Sequence, residues 1–197
     1  SWSEMKVMIE SGLVEIGSHT MTHARYFVSD GIKDFHHPGR DILHPAINIY
    51  PERRTDHIGD PCFEKILPYG YPIFEEASAV TAKRVWIDED FIKECLDRLS
   101  EYDFSRYSFR TAYGLIEDIY LRYRNANSII TSRESDEAYA ERLREEIFGS
   151  KLILEENLGK SVEFLCWPHG DNNEMAHRMA LDAGYLMTTI GKAKGIS

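Results

Sequence analysis

Cysteine is scarce in this chain: Cys62, Cys95 and Cys166 are the three among 197 residues, widely spaced and without a C-x-x-C pair. An odd number at that spacing excludes a disulfide framework and leaves the redox compartment open. Basic residues are also few, 23 Lys and Arg against 33 Asp and Glu, a formal charge of −10. A surface for nucleic acid or an anionic membrane needs the opposite balance, so neither partner is expected. No apolar run approaches the roughly 20 residues of a membrane span. The opening SWSEMKVMIESG lacks the charged-then-apolar layout of a signal peptide, and the compartment stays undetermined. Phosphate-cradling G-x-x-x-x-G-K and G-x-G-x-x-G loops are missing, as is a G-x-S-x-G nucleophile elbow.

What is present suits an ordinary globular chain: 43% apolar, 28% charged and 12% aromatic residues, enough to bury a core without staples. Residues 1–11 read as a helix, with Ser1 and Glu4 at capping-box spacing and Gly12 as its stop. Leu13–Ile16 reads as a short buried strand. From residue 24 to about 87 periodicity fades, and all the prolines except Pro168 gather there. A long aromatic-rich insertion built on short elements is expected. Helices follow over 88–102 (N-cap Asp88), about 111–124 and 136–158, the last closing at Gly159. Within it the charge run 133–146 reads as a solvated face, with i,i+4 pairs such as Arg142–Glu146. Residues 161–167 read as a buried strand and PHGDNN as a turn. Asp171 and Glu174 have capping-box spacing before a helix that stops at Gly184, and 185–190 reads as another strand. Strand, helix and strand in succession imply a parallel crossover, hence an α/β barrel or doubly wound sheet. In either, ligand sites lie at the carboxyl ends of strands, which is where SHTMTH and WPHGDNN fall.

His19 and His23 are four residues apart in GSHTMTH. In an extended strand they would stand about 13 Å apart, too far to share an ion. In a helical turn they would be about 6 Å apart on one face, within reach of a common metal. A site therefore requires the strand to end near Ser18 and the chain to curl at once. Two histidines on a polar loop remain the alternative from spacing alone. Cys166 and His169 add a C-x-x-H spacing and with His19 and His23 could form a closed four-ligand zinc site, but the two pairs lie about 150 residues apart and not at a defined short spacing, so a structural zinc site has little support. His36, His37, His44 and His57 read as loop residues of the insertion.

W-x-x-M-x-x-x-x-x-SGLVEIGSHTMTH, from Trp2, resembles the second motif of the polysaccharide deacetylases, the NodB-homology family (carbohydrate esterase family 4), in which H-[ST]-x-x-H follows a strand. Phe164-Leu165-Cys166-Trp167-Pro168-His169-Gly170-Asp171-Asn172-Asn173 resembles the third motif, with the usual helix and Ala183-Gly184-Tyr185 behind it. Residues 71–84 match more loosely.

The resemblance implies an α/β fold, a distorted (β/α) barrel of the deacetylase type (TIM-barrel-like), incomplete at both ends and carrying a long insertion. Residues 1–197 would be one partial domain and 24–135 its family-variable insertion. It implies a metal-dependent hydrolase that removes N-acetyl (or O-acetyl) groups from a carbohydrate polymer, acting on carbon–nitrogen bonds other than peptides. The metal, zinc in many members, would be held by His19 and His23, with Thr20 bracing the loop. Trp167, Pro168, His169, Gly170 and Asp171 would form the oxyanion and substrate side, His169 through its backbone N–H although it departs from the usual Tyr. The arginine many members carry in this motif is replaced by Leu165-Cys166. The family's F-D-D-G, source of its base and carboxylate ligand, and its L-x-H acid histidine do not occur in the sequence. The catalytic Asp and His are therefore expected outside this chain, and the chain alone is expected not to deacetylate. A non-catalytic carbohydrate-binding or scaffold relative is the alternative function. Oligomeric state, polymer and native metal are not legible.

Overall fold

A computed structural model describes residues 1–40 and 67–189. Expectations for Cys62, His44, His57, the apolar residues from Ile47 to Ile66 and the end of the last strand at Ile190 lie outside the described residues. The chain divides into two compact units. Unit 1 holds Ser1–His23, Ser78–Thr81 and Ser135–Ser197; unit 2 holds Ala24–Ala77 and Ala82–Glu134.

Unit 1 opens with helix α1 (Trp2–Glu10), whose capping box between Ser1 and Glu4 forms as its spacing predicts, with Gly12 left-handed beyond its end. The strand expected at Leu13–Ile16 does not form. The only ladder contact here is a parallel bridge between Ser18 and Leu165, made by Ser18 N–H to Phe164 O (2.8 Å) and Cys166 N–H to Ser18 O (2.9 Å). Leu13 is exposed and Ile16 half-buried, so the apolar run here gains too little burial to order a strand.

Strand β5 (Phe164–Leu165) pairs in parallel with β6 (Met187–Thr188), and helix α6 (Glu174–Asp182) links them. The crossover predicted from the sequence is thus present. Together with Ser18 it gives three adjacent parallel segments, with 164–166 in the middle. Helix α6 is capped by Asn173, whose side chain accepts from Ala176 N–H at 2.8 Å, and not by Asp171. Asp171 N–H instead closes the preceding turn on Pro168 O.

The long helix expected over 136–158 runs as α4 (Asp136–Arg144), a π-helical turn (Glu145–Gly149) and α5 (Ser150–Leu158), ending at left-handed Gly159. Tyr139, Leu143, Ile147, Leu158, Val162, Leu165, Trp167 and Tyr185 form the core of this unit.

Unit 2 gives the aromatic-rich stretch its own core, centred on Phe35, Phe74, Phe91, Cys95, Leu99 and Ile116. Its elements are β1 (Arg25–Phe35) beside β2 (Pro72–Ser78), β3 (Val85–Ile87) antiparallel to β4 (Ile130–Arg133), and helices α2 (Glu89–Leu99) and α3 (Phe109–Asn125). Asp88 caps α2 as expected. His36 lies in the loop after β1, as read, and is buried there.

The described residues therefore carry an α/β mixture in three two-stranded sheets, with no closed barrel among them. No described helix is long and apolar enough to cross a membrane.

Candidate functional site

The site candidates of unit 1 gather at the carboxyl ends of the parallel segments. The chain leaves the bridge at Ser18, and His19 Nδ1 lies 2.8 Å from Cys166 O. A carbonyl can only accept, so Nδ1 carries the proton, and in the neutral ring Nε2 keeps its lone pair for a metal or another donor. The rings of His19 and His23 then approach to 4.8 Å between centroids, tilted by 46°. They are not on opposite faces of an extended segment. His169 joins them, its ring 4.4 Å from that of His23, edge to face.

The curl that brings the pair together is not the helical turn that the spacing suggests. It comes from two left-handed residues, Thr20 (φ 62°) and His23 (φ 53°). His169 is left-handed as well, at φ 57°, and Gly170 follows at φ 74°. A non-glycine residue there costs about 1–3 kcal/mol, most for a β-branched one such as Thr20, and histidine tolerates it better. Strain therefore collects on the candidate residues.

Something must hold that backbone, and Glu146 does. Its carboxylate, only 2% exposed, accepts the N–H groups of Met21 (3.0 Å) and Thr22 (2.9 Å) and the Thr22 hydroxyl. Hydrogen bonds to a charged group contribute about 1.5–3 kcal/mol each, enough to offset the strain. Next to this contact, the Ser150 hydroxyl donates to Ile147 O, so at the 2.9 Å Ser18–Ser150 contact the Ser18 hydroxyl is the donor.

The bracing expected of Thr20 thus falls to Thr22. Thr20 Oγ1 is buried and meets no hydrogen-bond partner among the described residues. Glu146 and Thr22 are functional candidates that the motif reading passed over. Glu146 was also misplaced there, since it is buried and not on a solvated face, and Arg142 donates to Ala79 O.

On the other side, Trp167 and Pro168 are core residues, Trp167 1% exposed and packed edge to face on His177 at 5.3 Å. They lead directly into the turn at His169. Gly170 N–H closes on Trp167 O at 3.0 Å, and Trp167 N–H is taken by Thr189 Oγ1 at 3.0 Å. Cys166, expected to be buried, is exposed. It lines a cavity of about 590 Å³ together with Gly17, His19, Phe164, Met187 and Thr189. Among the described residues no set of three or more His, Cys, Asp or Glu side chains is arranged to hold a metal ion.

No family model and no curated protein matches the chain. Similar solved structures include a de-N-acetylase from Aggregatibacter actinomycetemcomitans, at 16% identity and TM-score 0.46. Another is the BpsB deacetylase domain from Bordetella bronchiseptica, at 14% identity and TM-score 0.48. Each is covered over 40% of its length by 95% of this chain.

Proposed function

We propose that this chain carries the histidine side of a metal-dependent deacetylase centre, which removes N-acetyl or O-acetyl groups from a carbohydrate polymer. The observation that carries the reading is the His19–His23 ring pair at 4.8 Å, with His19 Nδ1 tied to a backbone carbonyl. That bond fixes tautomer and orientation, as the outer hydrogen bond of a metal-bound histidine does. Two neutral imidazoles suit zinc, so the donor set fits half of such a site.

His19 and His23 would hold the ion. When bound, it would polarise the acetyl carbonyl and lower the pKa of its water. Beside them the left-handed turn at His169, which Trp167 and Pro168 lead into, would present its backbone N–H to the oxyanion. Gly170 and Asp171 complete that turn, and the Asp171 side chain would face the sugar. The carboxylate ligand, the base and the acid histidine are assigned to no residue of this chain, and the parallel segments would belong to a deacetylase-type barrel.

Zinc titration of the full chain by calorimetry is the first test. One ion should bind, and His19→Ala and His23→Ala should each abolish binding while the fold, read by circular dichroism, persists. Zinc binding that survives both substitutions would overturn the assignment. Since the chain alone is expected not to deacetylate, metal bound with no deacetylation of acetylated chito-oligosaccharides even by a version extended at both ends would favour the carbohydrate-binding relative instead.

A further inference from the structure

We infer that Glu146 is the positioning residue of the histidine pair, a role that rests on the metal-site reading above. The two left-handed residues, Thr20 and His23, flank Met21 and Thr22, whose N–H groups converge on one carboxylate oxygen of Glu146. The second oxygen accepts the Thr22 hydroxyl. Successive N–H groups after a left-handed residue form a concavity that binds an anion, and here the anion is supplied by the protein itself. Closing that concavity turns the backbone between His19 and His23 and sets one ring against the other.

Glu146 lies within a π-wound stretch of the helix, Glu145–Gly149, a local distortion that recurs at functional sites. Gly149 in the same turn lies against Met21, where an added Cβ would come within 3.0 Å of its terminal methyl. Glu146 lies 124 and 125 residues along the chain from the amides it binds, so this is a tertiary clamp and not a local turn. Its contacts to the loop are those with Met21 and Thr22, and in this role it acts through the loop and not as a ligand.

Glutamine in its place keeps an oxygen for the two amides, and its NH₂ can donate to the Thr22 hydroxyl. Alanine removes all three bonds. Two measurements on the full chain separate the role from its premise. Amide exchange followed by NMR needs no metal: Met21 and Thr22 should be protected in the wild type and in Glu146→Gln, and exchange fast in Glu146→Ala. Cobalt titration followed by its visible absorption reads the pair. Glu146→Ala should weaken binding about 10–100-fold, as loss of outer-layer support does, and Glu146→Gln should restore it to within about threefold.

Fast exchange in the alanine variant with no cobalt binding by any version would sink the metal reading and leave the clamp standing. Unchanged exchange and unchanged cobalt affinity in Glu146→Ala would overturn the clamp. Should the alanine variant not fold, Thr22→Val, which removes only the hydroxyl bond, carries the test. It should shift the cobalt spectrum and raise Met21 exchange, and an unaltered spectrum with unaltered exchange refutes the role.

Discussion

Thr20 shows how much of the site is a matter of single residues. It is β-branched, left-handed at φ 62°, and buries a hydroxyl that meets no hydrogen-bond partner among the described residues. Each feature destabilises, and neither is repaid within its own side chain. Thr20→Gly removes both, so the variant should be more stable by about 1–2 kcal/mol, seen as a raised denaturant midpoint at unchanged slope. A lower midpoint would mean that the threonine makes a stabilising contact after all. The histidine pair was legible because two histidines four residues apart can meet once the chain curls, and the rings do approach to 4.8 Å. The backbone that realises it was not, because no Gly or Asn marks the left-handed positions in HTMTH. Glu146 was legible in principle: Tyr139, Leu143 and Ile147 are buried at helical intervals, and Glu146 falls on that same stripe. Reading the run by charge alone hid a carboxylate placed among core residues.

At the level of elements, helices were the easiest to read, since capping and a 3.6-residue period are local. The start of α6 at Glu174 was legible, but its cap moved by two residues, from Asp171 to Asn173, because PHGDNN offers several capping side chains and the turn on Pro168 leaves the task to Asn173. Asn173 also donates to the Tyr139 hydroxyl at 2.8 Å, and that hydroxyl donates to Val80 O at 2.7 Å. Asn173→Ala should therefore cost about 1–2 kcal/mol, the upper part of the range for a lost cap, measured by thermal or urea unfolding. A change under about 0.5 kcal/mol would return the cap to Asp171. Strands were harder. The eleven-residue β1 went unread because Ser29-Asp30-Gly31 looks like a turn in its middle, and its burial does not alternate. The strand expected at Leu13–Ile16 shrank to one bridge at Ser18, because an apolar run makes a strand only where it finds a neighbour to pair with.

Across the whole chain, each unit has its own core, and the two described cysteines mark contrasting environments. Cys95 is fully buried in unit 2, where desolvation pushes its thiol from an ordinary value of 9.0 up to about 12. Cys166 is exposed in unit 1, at the wall of the cavity beside His19. With Cys62 replaced by serine, an aromatic disulfide reagent should label Cys166 in the native protein and reach Cys95 only after denaturation. Rapid native labelling of both thiols would mean that the core of unit 2 opens readily. Zinc that slows the labelling of Cys166 would place the ion close to it.

The bridge between Ser18 and Leu165, with His19 bound to a carbonyl 147 residues further along the chain, also carries a consequence in time. Unit 2 can assemble from residues that leave the ribosome early, while the histidine loop has neither its neighbouring strand nor its carboxylate until residues 146–166 have been made. At about 5–20 residues per second, the wait lasts on the order of ten seconds, and closing so long a loop adds an entropic cost that grows only with the logarithm of its length. During synthesis His19 and His23 are therefore an unshaped pair of side chains, and the two rings can be set against each other only after residues 146–166 have been made.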